Sequence, residues 1–263
     1  MELTPNGTTL RGDDAGAGPA VVLLHGLTAT RRHVLSGSRF LERSGHRVVA
    51  YDARGHGASD PASSYAYPEQ VADLAGLIEE RGLERPVLVG QSMGAAAAMA
   101  YALAEPGRVG GLVQITPAYD GAPQPDPRWE RLAEGLERAG VDGFMAAYEP
   151  KVDLRYREVV ETFTRQRLSR HSHPDAVAAA LREVPRSTAF EGLNGLEALD
   201  LPVLIIATRD DADPEHPLAV AEVYAERLPR SELHVDPPGE SPLAWRGARL
   251  SKRIAAWMEG PQA

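Results

Sequence analysis

Short runs of β-branched and aliphatic residues, apolar on both sides of the pleat, recur at Val21–Leu24, Val48–Tyr51, Val87–Val89, Leu112–Thr116, Val203–Ala207 and Leu233–Val235. Stretches of helical periodicity separate them. A strand that is apolar on both faces must be covered on both, so the alternation predicts an α/β architecture, a mainly parallel sheet with helices on each side. Segments around Glu2–Thr4 and Thr8–Gly12 are candidates for an antiparallel edge, and the GDDAGAGP stretch at 12–19 reads as a turn-rich connection.

Between Thr116 and Pro202 that rhythm stops. More than eighty residues there carry helical periodicity and no convincing strand, and a loop of such length inside a domain is expected to have structure and use of its own. Trp129–Ala139, Val141–Tyr148, Arg155–Leu168, Asp175–Val184 and Glu191–Leu199 read as successive helices, several bounded by Pro, Gly or Asp. The expected organisation is a core in two parts, residues 1–117 and 199–263, interrupted by a helical cap at 118–198. The segment is rich in arginine, with Arg155, Arg157, Arg165, Arg167, Arg170, Arg182 and Arg186 among its members. They would suit an anionic substrate, but solvated helix faces paired with nearby Glu account for them more simply.

At 263 residues and 43% hydrophobic content, the chain supports one domain with a sizeable core. No apolar run is long enough to span a bilayer, and the start MELTPNGTTLRGDD lacks the basic-then-apolar layout of a signal peptide. A soluble, cytoplasmic protein without membrane contact is expected. The absence of cysteine excludes disulfides, thiolate metal sites and a cysteine nucleophile. A formal charge of −9 argues against a nucleic-acid partner, since that binding depends on clustered Lys and Arg. The expected partner is a small-molecule substrate, and nothing marks a dimer surface, which leaves the oligomeric state open. His171 and His173 have no spacing partner that would make a metal site, and neither a metal nor any other cofactor is called for.

Chemistry enters at Gly90-Gln91-Ser92-Met93-Gly94, directly after the strand Pro86–Val89 and directly before the apolar helix Ala95–Ala104. A serine in a sharp strand-to-helix turn is held in a strained conformation that exposes its hydroxyl, and the flanking glycines let strand and helix pass closely. Ser92 is thus the candidate nucleophile. His25-Gly26-Leu27 ends the strand Val21–Leu24 and, in the expected sheet order, lies beside that elbow. The amides of Leu27 and Met93 would then both face a developing oxyanion, each donor contributing about 2.7–4 kcal/mol to the transition state. His25 reads as holding its turn, with substrate contact as the alternative, and His33 follows close enough to meet a substrate.

Together with Tyr51-Asp52-Ala53-Arg54-Gly55-His56-Gly57-Ala58-Ser59, these motifs resemble the three consecutive signatures of the α/β-hydrolase superfamily. The branch they are similar to contains esterases, lactonases, haloperoxidase-like proteins and carbon–carbon bond hydrolases. The resemblance covers the core segments on both sides of the cap. It implies an α/β-hydrolase fold, a structural role for Asp52, Arg54 and His56, and a catalytic triad. Serine at the nucleophile position speaks against haloalkane dehalogenases and epoxide hydrolases, which use Asp there. The family's acid follows the strand Val203–Ala207; counting from that strand favours Asp211, and counting back from the next helix favours Asp213. The family's base, a histidine in a Gly-His turn after the last strand, is missing. Here that strand leads into Asp236-Pro237-Pro238-Gly239-Glu240-Ser241-Pro242, with Glu240 at the histidine's position.

Three accounts of the missing base compete. His216, on the loop that carries the acid, is expected to serve as a relocated base, because imidazole has a suitable pKa near neutrality. Alternatively Glu240 is itself the base, its pKa raised by a second carboxylate nearby. In the third account hydrolysis is lost, and the fold binds a ligand or catalyses a non-hydrolytic, lyase-like step. His234 alternates with Leu233 and Val235 on its strand and reads as structural. The leading expectation is a serine hydrolase of small carboxylic esters, lactones or thioesters acting through a Ser92 acyl-enzyme. Asp211 would orient His216, and Trp129 and Tyr148 of the cap would shape the substrate pocket.

Overall fold

In the computed structural model, which describes residues 1–209, 213–237 and 246–260, the apolar runs become the strands of one sheet. They are β1 (Glu2–Leu3), β2 (Leu10–Ala15), β3 (Ala20–Leu24), β4 (Arg47–Tyr51), β5 (Val87–Gln91), β6 (Gly111–Ile115), β7 (Val203–Thr208) and β8 (Ser231–Asp236). Their order across the sheet is β1-β2-β4-β3-β5-β6-β7-β8. From β4 to β8 neighbouring strands are parallel, while β1 and β2 form an antiparallel edge.

Side chains alternate across the sheet and divide the core in two. On one face Val22, Leu88 and Leu112 pack with Leu74, Met99 and Tyr224, which come from α2 (Tyr67–Glu80), α3 (Met93–Ala104) and α7 (Leu218–Arg227). On the other, Val21, Val89 and Val113 pack with Leu41 of α1 (Phe40–Arg43) and with Leu250 and Ile254 of α8 (Gly247–Glu259). A third apolar cluster forms within the insertion that separates β6 and β7 in sequence, where α4 (Pro127–Ala147), α5 (Leu154–Leu168) and α6 (Pro174–Glu183) bury Leu132, Leu136, Phe144, Leu168, Val177 and Leu181 together. Leu27 packs against both this cluster and the first core face, so the insertion rests on the turn that follows β3.

Two local expectations need correction. The stretch from Gly12 is not all connection: Gly12–Ala15 continue β2 and pair with Val48–Tyr51. The strand's acidic side chains are accommodated because Asp14 is bridged by Arg47 at 2.8 Å and by Arg81, and Asp13 by Arg31 at 2.8 Å. The expected helices Trp129–Ala139 and Val141–Tyr148 are both present as the two halves of α4, parted where Ala139 and Gly140 leave helical geometry and Gly140 takes φ 58°. The expected helix Glu191–Leu199 is only a 3-10 turn over Asn194–Ala198, since Gly192 and Gly195 interrupt it.

The Asp52–Ser59 turn is built from buried polar groups. Asp52 accepts from the Arg31 N–H at 2.8 Å and the Ala58 N–H at 3.0 Å, and also meets the Arg31 guanidinium. Arg54 makes a two-pronged ion pair with Asp73 of α2, both bonds 2.8 Å, and the two side chains are 3% and 2% exposed. Removing Asp73 leaves the buried guanidinium with only Glu69, at 3.1 Å and itself partly exposed, as counter-charge. Asp73→Asn is therefore expected to lower the free energy of unfolding by about 3 kcal/mol, read as a lower urea midpoint at unchanged slope. A loss below about 1 kcal/mol would mean that the pair does not hold the turn.

Candidate active site

Ser92 stands where β5 turns into α3. Its backbone takes φ 51°, ψ −111°, a left-handed conformation that a residue with a Cβ adopts only when its surroundings hold it there. The Ser92 N–H donates to the Ile115 carbonyl at 3.1 Å, and the Ser92 carbonyl accepts from Ala96 at 3.1 Å, tying the residue to β6 and to α3. A Cβ on Gly90 would stand 2.6 Å from Ala95 Cα, and one on Gly94 would stand 2.8 Å from the His25 carbonyl oxygen. Both positions therefore require glycine. Ser92 is half-buried, and among the described residues its hydroxyl makes no hydrogen bond.

The turn after β3 abuts this elbow: a Cβ on Gly26 would lie 3.4 Å from Ser92 Cβ. The Ala29 N–H closes the turn on the Gly26 carbonyl at 3.0 Å, and Thr28 takes φ 63°. Among the described residues neither the Leu27 N–H nor the Met93 N–H, at the start of α3, donates a hydrogen bond. Free amides at a helix N-terminus carry partial positive charge and suit a developing anion.

Three histidines line up beside these turns, with ring centres 5.2 Å apart for His25 and His56 and 5.6 Å for His56 and His171. His25 Nε2 accepts from the Ala53 N–H at 2.9 Å, which leaves Nδ1 to donate to the Gly26 carbonyl at 2.8 Å. Both ring nitrogens thus serve the backbone, and the substrate contact considered for His25 has no ring nitrogen to make it. His171 reaches in from the insertion: Nδ1 accepts from the Gly57 N–H at 2.8 Å and Nε2 donates to the Thr28 carbonyl at 2.9 Å. Its partners lie 114 and 143 residues away in sequence, so no local signal could have revealed this role. Burial, with His56 alongside, pushes His25 well below its ordinary pKa and His171 down to about 3. Burial, reinforced by Arg167, lowers His33 to about 4.

A second polar group stands after β7. His216 Nδ1 lies 2.6 Å from Asp213 Oδ1, and the His216 N–H donates to the Asp213 carbonyl at 3.3 Å. Burial opposes charge on this imidazole, but the adjacent Asp213 outweighs it and the pKa is raised. Glu215 in the same turn pairs with Arg128, whose guanidinium lies 4.4 Å over the Trp129 ring. Tyr148 packs 5.8 Å from Phe144; burial raises its pKa, and Arg167, Glu215 and Asp213 all lie within its electrostatic reach. The structure therefore brings Trp129 and Tyr148 to the quarter that holds Asp213 and His216. No hydrogen bond among the described residues joins His216 to Ser92. Asp211 and Glu240 lie outside the described residues. His234 Nε2 sits 3.1 Å from Asp236 Oδ1, which also accepts from Arg249 at 3.0 Å.

A cavity of 920 Å³ lined by Pro202, Arg230, Lys252 and Trp257 opens at the N-terminal ends of β7 and β8, the far end of the sheet from Ser92. In open parallel sheets ligands bind at the carboxyl ends of the strands, where Ser92 stands.

The profile of a family described as "alpha/beta hydrolase fold" matches residues 19–247. The chain is 33% identical over 237 residues to 2-hydroxy-6-oxononadienedioate/2-hydroxy-6-oxononatrienedioate hydrolase 2 of Pseudomonas putida, covering 85% of this chain and 82% of that one. Its structure superposes with TM-score 0.79 on a thermophilic esterase from Thermogutta terrifontis, at 25% identity over 98% of this chain and 97% of the other. An enol-lactonase from Burkholderia xenovorans LB400 shares the fold at TM-score 0.81 and 19% identity, over 99% of this chain and 100% of the other.

The strain at Ser92 predicts that Ser92→Gly raises stability by about 1 kcal/mol, since glycine adopts the conformation freely; an unchanged or lower urea midpoint would contradict it. The depressed histidines predict a pH dependence. Unfolded, His33 and His171 bind protons near 6.5; folded, they do so only at about 4 and about 3. Between those values the unfolded state holds more protons, so their stabilising contribution is complete above 6.5 and is lost as pH falls toward 4. His171→Gln is expected to flatten the fall in urea midpoint between about pH 7 and pH 4.5. An identical slope in the variant would refute this.

Proposed function

Since the chain belongs to the α/β-hydrolase family, we propose that it is a serine hydrolase of small carboxylic esters, lactones or thioesters, working through a Ser92 acyl-enzyme. The observation that carries this reading is the strained Ser92 beside two undonated amides, Leu27 N–H and Met93 N–H. Such an arrangement suits a carbonyl that becomes tetrahedral: Ser92 Oγ bonds to the carbonyl carbon, and the oxygen takes up negative charge between the amides. His216 accepts the serine proton and returns it to the leaving group. Asp213, rather than Asp211, is its partner in this mechanism, because the 2.6 Å contact sets the Nδ1 tautomer and favours the imidazolium that forms. Catalytic hydrogen bonds often tighten only when substrate is bound, so contact between His216 and Ser92 belongs to the Michaelis complex in this scheme. The insertion acts as a cap, with Trp129 and Tyr148 bordering the substrate. By their names, the relatives are an esterase, an enol-lactonase and a hydrolase of 2-hydroxy-6-oxo-dienedioates, which supports cleavage of small acyl compounds.

One observation favours a second reading. Ser92 Oγ lacks a hydrogen bond to any described histidine, as it would in a site that binds a ligand or uses the two amides on an enolate without acylation. Intact-mass labelling with a fluorophosphonate distinguishes the two without knowledge of the substrate. The wild type is expected to gain one adduct, lost in Ser92→Ala and slowed about 100-fold or more in His216→Ala. The base acts only when deprotonated, and Asp213 raises its pKa, so the labelling rate should fall on the acid side of a limb that Asp213→Asn moves to lower pH. An unlabelled wild type across the pH range would favour the second reading.

A further inference from the structure

Phe163, Arg167 and His171 recur every four residues along one face of α5 and the turn beyond it. Both outer members touch the segment that follows Leu27. His171 bonds the Thr28 carbonyl at 2.9 Å, and the Phe163 ring meets His33 edge-on at 5.9 Å. Arg167 lies between them, its guanidinium carbon 5.8 Å from the Phe163 ring. Across from it stand Asp213 and His216, both within its electrostatic reach. The guanidinium is thus bracketed by the turn beside Ser92 and by the proposed proton acceptor.

Several other arginines of the insertion are paired. Arg182 meets Glu130 and Glu137, each at 2.5 Å, Arg186 meets Glu130 at 3.7 Å, and Arg165 meets Asp142. Arg167 differs: it is half-buried, its Nε is enclosed without a hydrogen bond, and no described carboxylate lies within ion-pair distance. A guanidinium stays charged in proteins, and withdrawing it from water without a counter-charge is costly. His33 supplies a second donor. Its Nδ1 accepts from the Thr30 N–H at 3.1 Å, which leaves the proton of the neutral ring on Nε2, with no acceptor among the described residues.

We propose that Arg167 and His33 form a carboxylate-binding subsite, so that the substrate is an ester or lactone that also bears a free carboxylate. The inference rests on the acyl-transfer reading for the word substrate, while the subsite itself does not. A planar guanidinium matches a carboxylate through two parallel bonds. One cation and one neutral donor, with Asp213 and Glu215 close by, fit a monoanion better than a phosphate dianion.

Two measurements test it, one of them independent of turnover. Succinate, glutarate or adipate is expected to raise the Tm of the wild type, adipamide is not, and the shift should vanish in Arg167→Gln and partly return in Arg167→Lys. In hydrolysis, kcat/KM for monoethyl adipate should exceed that for ethyl hexanoate by about 10- to 100-fold, chiefly through KM, with the preference lost in Arg167→Gln. Measuring both esters in each variant separates loss of the preference from a general loss of turnover. No shift with any of the three dicarboxylates, a shift that survives Arg167→Gln, a shift with inorganic phosphate alone, or equal turnover of the two esters would overturn the proposal. A dicarboxylate shift retained in Ser92→Ala, with no ester cleaved by the wild type, would keep the subsite and discard the hydrolase.

Discussion

A Cβ on Gly94 would overlap the Leu24 carbonyl and stand 2.8 Å from that of His25, so the first turn of α3 lies directly on the end of β3. That crossing places every other part of the site. It brings the Leu27 turn against Ser92, leaves the Met93 amide at a helix start with no internal acceptor, and forces the serine between them into its left-handed conformation. The helix can approach so closely because it continues as Ala95-Ala96-Ala97-Ala98, all nearly or fully buried. A helix apolar all round belongs in a core, and one faced with alanine lets sheet and helix backbones meet with little between them. The strain at Ser92 is therefore held by the packing of α3 against the sheet.

The insertion is fastened to that core by polar contacts as well as by Leu27. His171 bonds two turns of the core at once, and Arg128 joins the start of α4 to the 213–216 turn through Glu215. A neutral imidazole is suited to the first task because it donates and accepts in fixed directions, and burial keeps it neutral. Between these fastenings in sequence stands α5, where Arg165 pairs with Asp142 while Arg167 makes no ion pair among the described residues.

The parallel strands were legible because a buried strand needs apolar residues on both faces, a pattern that few other elements share. The elbow was legible because glycine, serine and glycine at that spacing between strand and helix satisfy a steric demand. The edge was less so: Gly12–Ala15 reads as turn residues, and only the distant Arg31, Arg47 and Arg81 make it a strand. Asp211 and Asp213 look alike in sequence, and the 2.6 Å contact to His216 depends on the turn from 213 to 216, which composition does not encode. Arg167 was legible as an arginine, but not as one without an ion pair among the described residues. Pairing is a property of what packs nearby, so the arginines of the insertion, equivalent in sequence, separate only in three dimensions.

The position of Arg167 also bears on His216, the base proposed for Ser92. Asp213 and Glu215 raise the proton affinity of His216, while burial and Arg167 lower it. An empty subsite leaves the guanidinium's full charge facing the imidazole. A carboxylate bound to Arg167 offsets that charge, so the balance at His216 moves toward a stronger base when an acidic substrate arrives. Binding energy gained at a remote, non-reacting group would then act on the reacting one, through a field in a half-buried gap where charges are screened less than in water. The same coupling runs in reverse: protonation of His216 strengthens the subsite's hold on an anion, since both equilibria share one free energy.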